Sequence, residues 1–174
     1  MTGPAQPEFS RLVPLARLGA EPFRQKVSAT EAERAALARR FDLPRLDRLC
    51  AVVELVRRGA DRFLLRAAFS AEFVQNCVVT LDPVEGAVAE NFALLYGPPE
   101  AEEEAGGTVE DDVAFEPVAG NAIDVGEAVA QQFSLALPPF PRSPDATLDA
   151  SPPEEAGPFT AALSVLRDRR GEQS

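Results

Sequence analysis

Between Phe63 and Val74 the residues alternate: Phe63, Leu65, Ala67, Phe69, Ala71 and Phe73 on one side, Leu64, Arg66, Ala68, Ser70, Glu72 and Val74 on the other. A period of two with aromatics on one side suits a strand that buries that face. The opposite face mixes charge with small residues, so the sheet is expected to be antiparallel, with that face open to water or to a partner. The run continues through Gln75-Asn76-Cys77-Val78-Val79-Thr80-Leu81, longer than one straight strand usually is, which predicts a bend or bulge near Gln75 to Cys77. Asp82-Pro83 breaks it, and a further strand is expected from Val84 to about Tyr96, with Val88, Phe92, Leu94 and Tyr96 on one face.

Helices flank this pattern. Thr30 and Glu33 form a T-x-x-E capping box ahead of an Ala-rich stretch in which Leu37 and Phe41 share a face, and Pro44 ends it. From Leu49 the period changes to two (Leu49, Ala51, Val53, Leu55), and Arg57 to Asp61 reads as a hairpin turn. Val113 to Val118 reads as an edge strand. Asp124 is placed to cap a second helix, with Glu127 at its third position and Val125, Val129, Phe133 and Ala136 as its packing stripe, before Pro138, Pro139 and Pro141. The fold class expected is α+β: an antiparallel sheet, which could be strongly curved, packed by two or three helices. The domain is expected over residues 9–142, with an acidic mobile loop at 97–112, a proline-rich acidic linker at 143–157 and an amphipathic helix at 158–170 opened by Pro158. No internal repeat is visible.

Charge divides the chain. Residues 1–80 carry a net +4 and residues 81–174 a net −15, which makes −11 in all. The total disfavours broad attraction to nucleic acid or an anionic membrane, but the basic half leaves room for a local contact. Of the 17 cations only Lys26 is lysine, which fits either phosphate-binding forks or a GC-rich genome. With no histidine and two cysteines, Cys50 and Cys77, zinc sites built on four cysteines or on mixed cysteine and histidine are excluded, as is every triad that uses imidazole. No cofactor is implied. The start, Met-Thr-Gly-Pro-Ala-Gln-Pro-Glu, lacks the basic and apolar parts of a signal peptide, and no run approaches the roughly 18 apolar residues of a membrane helix, so a cytoplasmic protein with no membrane partner is expected.

Three stretches occur in order: Gln75-Asn76-Cys77-Val78-Val79-Thr80-Leu81-Asp82-Pro83-Val84; Ile123-Asp124-Val125-Gly126-Glu127 through Leu135-Ala136-Leu137-Pro138-Pro139-Phe140-Pro141; and Gly157-Pro158-Phe159 with Leu163 and Leu166. Together they resemble the YceD family, the large ribosomal RNA subunit accumulation proteins, over about residues 9 to 168. The resemblance implies a role in synthesis, processing or stability of large-subunit ribosomal RNA, without a known catalytic activity, and does not imply an enzyme. Its motif residues here are Gln75, Cys77, Asp82, Pro83, Asp124, Glu127, Pro138, Pro158 and Phe159. Many members carry C-x-x-C where this chain has Val74-Gln75-Asn76-Cys77; one thiol cannot make half of a tetrahedral metal site, so the knuckle would be held by packing alone.

Arg57, Arg58, Arg62 and Arg66 cluster at the predicted hairpin, with Arg39, Arg40, Arg45 and Arg48 before it. Such forks match phosphate oxygens and would bind precursor RNA or the assembling particle; a solvated face is the plainer alternative. The acidic loop could instead shield a basic ribosomal protein, which makes an acidic chaperone the second reading, or simply keep the chain soluble. Cys77 reads as a small buried hydrophobe rather than a reactive thiol. The turn at Asp82-Pro83, with Gln75 and Asn76, reads either as a polar recognition knob or as ordinary turn chemistry. RNA cleavage is disfavoured, because adjacent carboxylates such as Asp111 and Asp112 lack fixed geometry.

Overall fold

A computed structural model describes residues 7–99, 113–118 and 120–147, and the compact unit they build ends at Pro144. The expected loop beyond Pro99, the linker beyond Thr147 and the helix at 158–170, with Pro158 and Phe159, lie outside the described residues. The strands are β1 (Leu12–Pro14), β2 (Phe23–Ser28), β3 (Arg45–Arg58), β4 (Arg62–Asn76), β5 (Pro83–Gly97), β6 (Ala114–Pro117) and β7 (Ala122–Asp124). The helices are α1 (Glu31–Arg40) and α2 (Val125–Ala136). None of the described helices is long and apolar enough to cross a membrane.

Five strands form one sheet in the order β2-β3-β4-β5-β6, and β1 and β7 form a separate antiparallel pair. The inward face of β4 is the predicted one: Phe63, Leu65, Ala67, Phe69, Ala71 and Phe73 are all buried. Leu49, Ala51, Val53 and Leu55 of β3 join them, as do Leu94 of β5 and, less deeply, Val88, Phe92 and Tyr96. Helix α2 packs on β4 and β5, and contributes Val125, Val129 and Phe133 to the same core.

The helix starts are set locally. The Thr30 hydroxyl accepts from the Glu33 N–H at 3.3 Å, and the Glu33 carboxylate accepts from the Thr30 N–H at 2.7 Å, so the capping box is complete. Helix α1 stops before Pro44 is reached. Asp42 turns left-handed, with φ of 53°, and the Leu43 N–H reaches back to the Ala38 carbonyl at 2.8 Å. The Asp124 carboxylate accepts from the N–H groups of Gly126 and Glu127 at 3.1 and 3.2 Å, and so caps α2.

Several expectations are corrected. The sheet is not wholly antiparallel: β6 runs parallel to β5. Parallel neighbours need a connection of about a dozen residues or more, and sixteen separate Gly97 from Ala114. Gly97 itself is the last residue of β5 and not part of a loop. The strong curvature that the sequence left open is not found among the described residues. Strand β3 begins at Arg45 and not at Leu49, because a bulge between Leu46 and Arg48 lets Leu46 and Leu49 both point inward and hides the period of two. That bulge sits on β3; β4 itself stays regular to Asn76 and ends in a turn. Leu64 and Val74, on the other face of β4, are also buried. Strands β1 and β2 were not foreseen, since β1 buries only Val13 and β2 carries Gln25 between its apolar Phe23 and Val27.

Two bidentate ion pairs tie the helices to distant chain. Arg11 grips Glu33 at 2.7 and 3.0 Å and so holds the N-terminal segment to the start of α1. Its guanidinium, helped by Thr30, holds the Glu33 carboxyl down at about 2 against the pull of desolvation. Arg40 grips Glu127 at 2.9 and 2.7 Å and touches Glu8 at 2.9 Å, which joins the end of α1 to the start of α2.

Candidate functional site

The hairpin arginines divide between the two faces of the sheet. Residues paired directly across antiparallel strands share a face. Arg58 pairs with Arg62 at the hairpin end, and one rung runs Arg24, Glu54, Arg66, Ala93 across four strands. The rung beyond it runs Lys26, Val52, Ala68, Asn91. Arg58, Arg62 and Arg66 therefore stand on the outer face, away from the core, together with Arg24 and Lys26 from β2. Glu54 is the one acid among these rungs of described residues, and it is held by Arg24. Arg57 belongs to the opposite set: it pairs with Phe63, lies over that ring at 5.8 Å and donates to the carbonyls of Gly59 and Ala60. Its place is in the turn, where Gly59 has a φ of 80°.

The wider set of eight arginines does not form one free basic face. Arg40 is committed to Glu127 and Glu8, Arg45 pairs with Asp47, and Arg48 pairs with Glu72 and donates to the Ser70 hydroxyl at 3.1 Å. Arg24 and Lys26 were missed because the signal for β2 was too weak to place them. Once β2 pairs with β3, their position follows from register alone.

The motif residues around Cys77 form a knuckle. Cys77 is buried, and its sulfur accepts from the N–H groups of Val79, Thr80 and Ser143 at 3.4 to 3.5 Å. The Cys77 N–H donates to the Asp82 carbonyl at 2.8 Å, the Val78 N–H donates to the Pro141 carbonyl at 2.9 Å, and Gln75 Nε2 donates to the Pro138 carbonyl at 3.1 Å. Pro83 opens β5, a position that needs no ladder N–H. The first and second motif stretches thus meet beside Cys77, through Gln75 with Pro138 and Val78 with Pro141, and polar contacts join the packing that was expected to hold the knuckle alone.

The Thr80 hydroxyl, with the N–H groups of Ser143, Thr80 and Val79, brings the Cys77 thiol down to about 6, against the opposite push of burial. Thiolate character does not make it accessible. Under native conditions Cys50, which is half-buried, is expected to react with a thiol reagent, while Cys77 reacts only after unfolding. Peptide mapping of the labelled protein checks this; prompt native labelling of Cys77 would mean that the knuckle opens. Exposed apolar side chains stand at the tip beside the exposed Asn76, Thr80 and Asp82: Val78 is 47% exposed, and Leu81 and Phe140 are each 75% exposed. Leu81 adopts a left-handed φ of 63°.

The second motif stretch is accounted for by structure. Ile123 is buried opposite Val13, and Asp124 accepts from the Ser10 hydroxyl and the Arg11 N–H as well as capping α2. Gly126 leaves room for the backbone of Phe9, and Glu127 holds Arg40. None of these needs a ligand to explain it. Among the described residues no group of three or more cysteine, aspartate or glutamate side chains is placed to hold a metal ion.

No curated protein and no solved structure matches the chain. The family model described as large ribosomal RNA subunit accumulation protein YceD matches residues 65–162, a shorter span than the resemblance noted from about 9 to 168. The matched span takes in most of β4, the Cys77 knuckle and all of α2, and it includes Arg66 but not Arg58 or Arg62. It covers more than half of the chain, and it holds the two motif stretches that the fold brings together at Cys77: the protein belongs to the YceD family.

Proposed function

We propose that this protein is a non-enzymatic cytoplasmic factor that supports synthesis, processing or stability of large-subunit ribosomal RNA during ribosome assembly. Family membership suggests the part in ribosome biogenesis. The observation that supports a direct contact is the outer face of the sheet, where Arg24, Lys26, Arg58, Arg62 and Arg66 come together from three strands of a chain whose net charge is −11. A local basic face on an acidic protein gives phosphate a place to bind while the remaining charge opposes non-specific adhesion.

Replacing Arg58, Arg62 and Arg66 by Glu is expected to weaken binding to precursor RNA or the assembling particle by at least about tenfold at moderate salt. The residual binding should also be less salt-sensitive, by about 0.9 in log–log slope for each phosphate no longer neutralised. Sedimentation with particles from lysate over a salt series measures both. Unchanged binding across the series overturns the reading. Nuclease-resistant recovery of a single basic ribosomal protein, in place of RNA, would replace it with the acidic chaperone.

A further inference from the structure

The outer face also bears on which form of RNA it suits. Proteins that read unpaired RNA on a sheet stack the bases on exposed aromatic rings. Here the rings of β2, β4 and β5 point the other way: Phe23, Phe63, Phe69, Phe73, Phe92 and Tyr96 all belong to the core or pack against it. Among the described residues the outer face has one ring, Phe115 on the edge strand β6. It pairs beside Leu95, is half-buried, and lies over Gly97 next to Arg62. The centre of the face holds short side chains in two rungs, Lys26-Val52-Ala68-Asn91 and Ser28-Cys50-Ser70-Ala89. They floor two shallow depressions of about 470 and 580 Å³ that share Val52 and Ala68.

The cations stand to one side of this floor, with Lys26 on its first rung, Arg24 and Arg66 on the rung before, and Arg62 beyond Leu64. Arg24 and Lys26 are on β2 and Arg66 is on β4, two strands away, so they are about 10 Å apart across the sheet. Arg62 lies four residues along β4 from Arg66, about 13 Å. Ser28 and Ser70 lie one rung beyond Lys26, and Asn91 closes the rung of Lys26 on β5, so hydroxyl and amide groups lie beside the cations. The wide, shallow minor groove of an RNA helix offers the matching chemistry, with phosphates along a border and 2′-hydroxyls on the floor beside it.

We propose that the RNA met by this face is base-paired, gripped through phosphates by Arg24, Lys26, Arg62 and Arg66, and touched at its 2′-hydroxyls by Ser28, Ser70 and Asn91. The proposal rests on the reading that the chain contacts RNA and specifies the class of RNA. It explains why a face that carries charge has no stacking platform at its centre.

The test uses the full chain and three fluorescent probes matched in length: an RNA hairpin with a long stem, an RNA strand unable to pair, and a DNA duplex with the sequence of the stem. The stem is expected to bind at least about tenfold more tightly than the unpaired strand at equal salt. Exchanging its base pairs should matter little, because phosphate and sugar contacts carry no sequence information. The double variant Lys26→Glu, Arg66→Glu should lose at least about tenfold for the stem, with an unchanged melting temperature showing that it folds. Equal or tighter binding of the unpaired strand would overturn the proposal and leave the RNA contact standing. A DNA duplex bound as tightly as the RNA stem would also overturn it, since 2′-hydroxyls would then contribute nothing. Binding to none of the probes would remove the RNA contact itself, and the proposal with it.

Discussion

Phe133→Ala is expected to cost the folded state about 3–5 kcal/mol. Phe133 is completely buried on α2, and its ring meets Phe73 of β4 edge-on at 5.6 Å and Phe41, which follows α1, at 5.8 Å. One side chain therefore joins both helices to the middle of the sheet. Truncation removes the transfer free energy of the ring, leaves a cavity that close-packed neighbours fill only in part, and forfeits two aromatic contacts worth about 0.5–1.5 kcal/mol each. Against a typical domain stability of about 5–15 kcal/mol, that is a large share. Urea unfolding should show a lower midpoint with the same slope. Leu135→Ala, two residues away on the exposed side of α2, should stay within about 0.5 kcal/mol. A loss below about 1 kcal/mol for Phe133→Ala would mean that α2 does not pack on the sheet as described.

Gly126→Ala is expected to destabilise by about 3 kcal/mol, and the sign matters more than the size. Helix propensity alone makes Ala better than Gly within a helix by up to about 1 kcal/mol, so a reading of α2 in isolation predicts a gain. In the folded protein a Cβ at Gly126 would lie 2.5 Å from the Phe9 carbonyl oxygen and 2.9 Å from the Arg11 nitrogen. These are backbone atoms and cannot swing aside. The N-terminal segment is also fixed there by Asp124, which accepts from Ser10 and Arg11, and by the β1–β7 ladder. Relieving the clash would mean giving up part of that anchorage. Gly19→Ala is the control, because nothing lies within 4 Å of a Cβ placed there. Thermal unfolding of both variants decides the matter; a Gly126→Ala protein as stable as the parent would show that the Phe9–Arg11 segment is not seated against α2.

Parts of the candidate site are legible in the amino-acid sequence alone. Arg58, Arg62 and Arg66 share a parity along the chain, so once β4 is recognised their common face is in principle readable. Arg57 differs from Arg58 by one position, and in a strand one position is enough to send it to the other face. Arg24 and Lys26 could not be added, because an edge strand half-open to water needs few apolar residues and leaves little pattern. The Cys77 knuckle is legible as a motif and not as a mechanism. Nothing in Val78-Val79-Thr80 states that the N–H groups of Val79 and Thr80 turn toward the sulfur, and Ser143, the third donor, comes from 66 positions away.

What the sequence by itself determined is the set of features that neighbours along the chain decide. The capping box at Thr30, the Asp124 cap, the stripe of α2 and the buried face of β4 depend on residues a few positions apart, and short-range hydrogen bonding and periodicity specify them. Tertiary structure alone decided the features that two distant segments share: the parallel edge strand β6, the bulge in β3, the seat of Phe9 against Gly126, the Arg40–Glu127 clamp and the assembly of cations from β2, β3 and β4 on one face. These depend on which surfaces come together when the core is buried, and burial is non-directional, so the local pattern that drives it does not record the register in which it is satisfied.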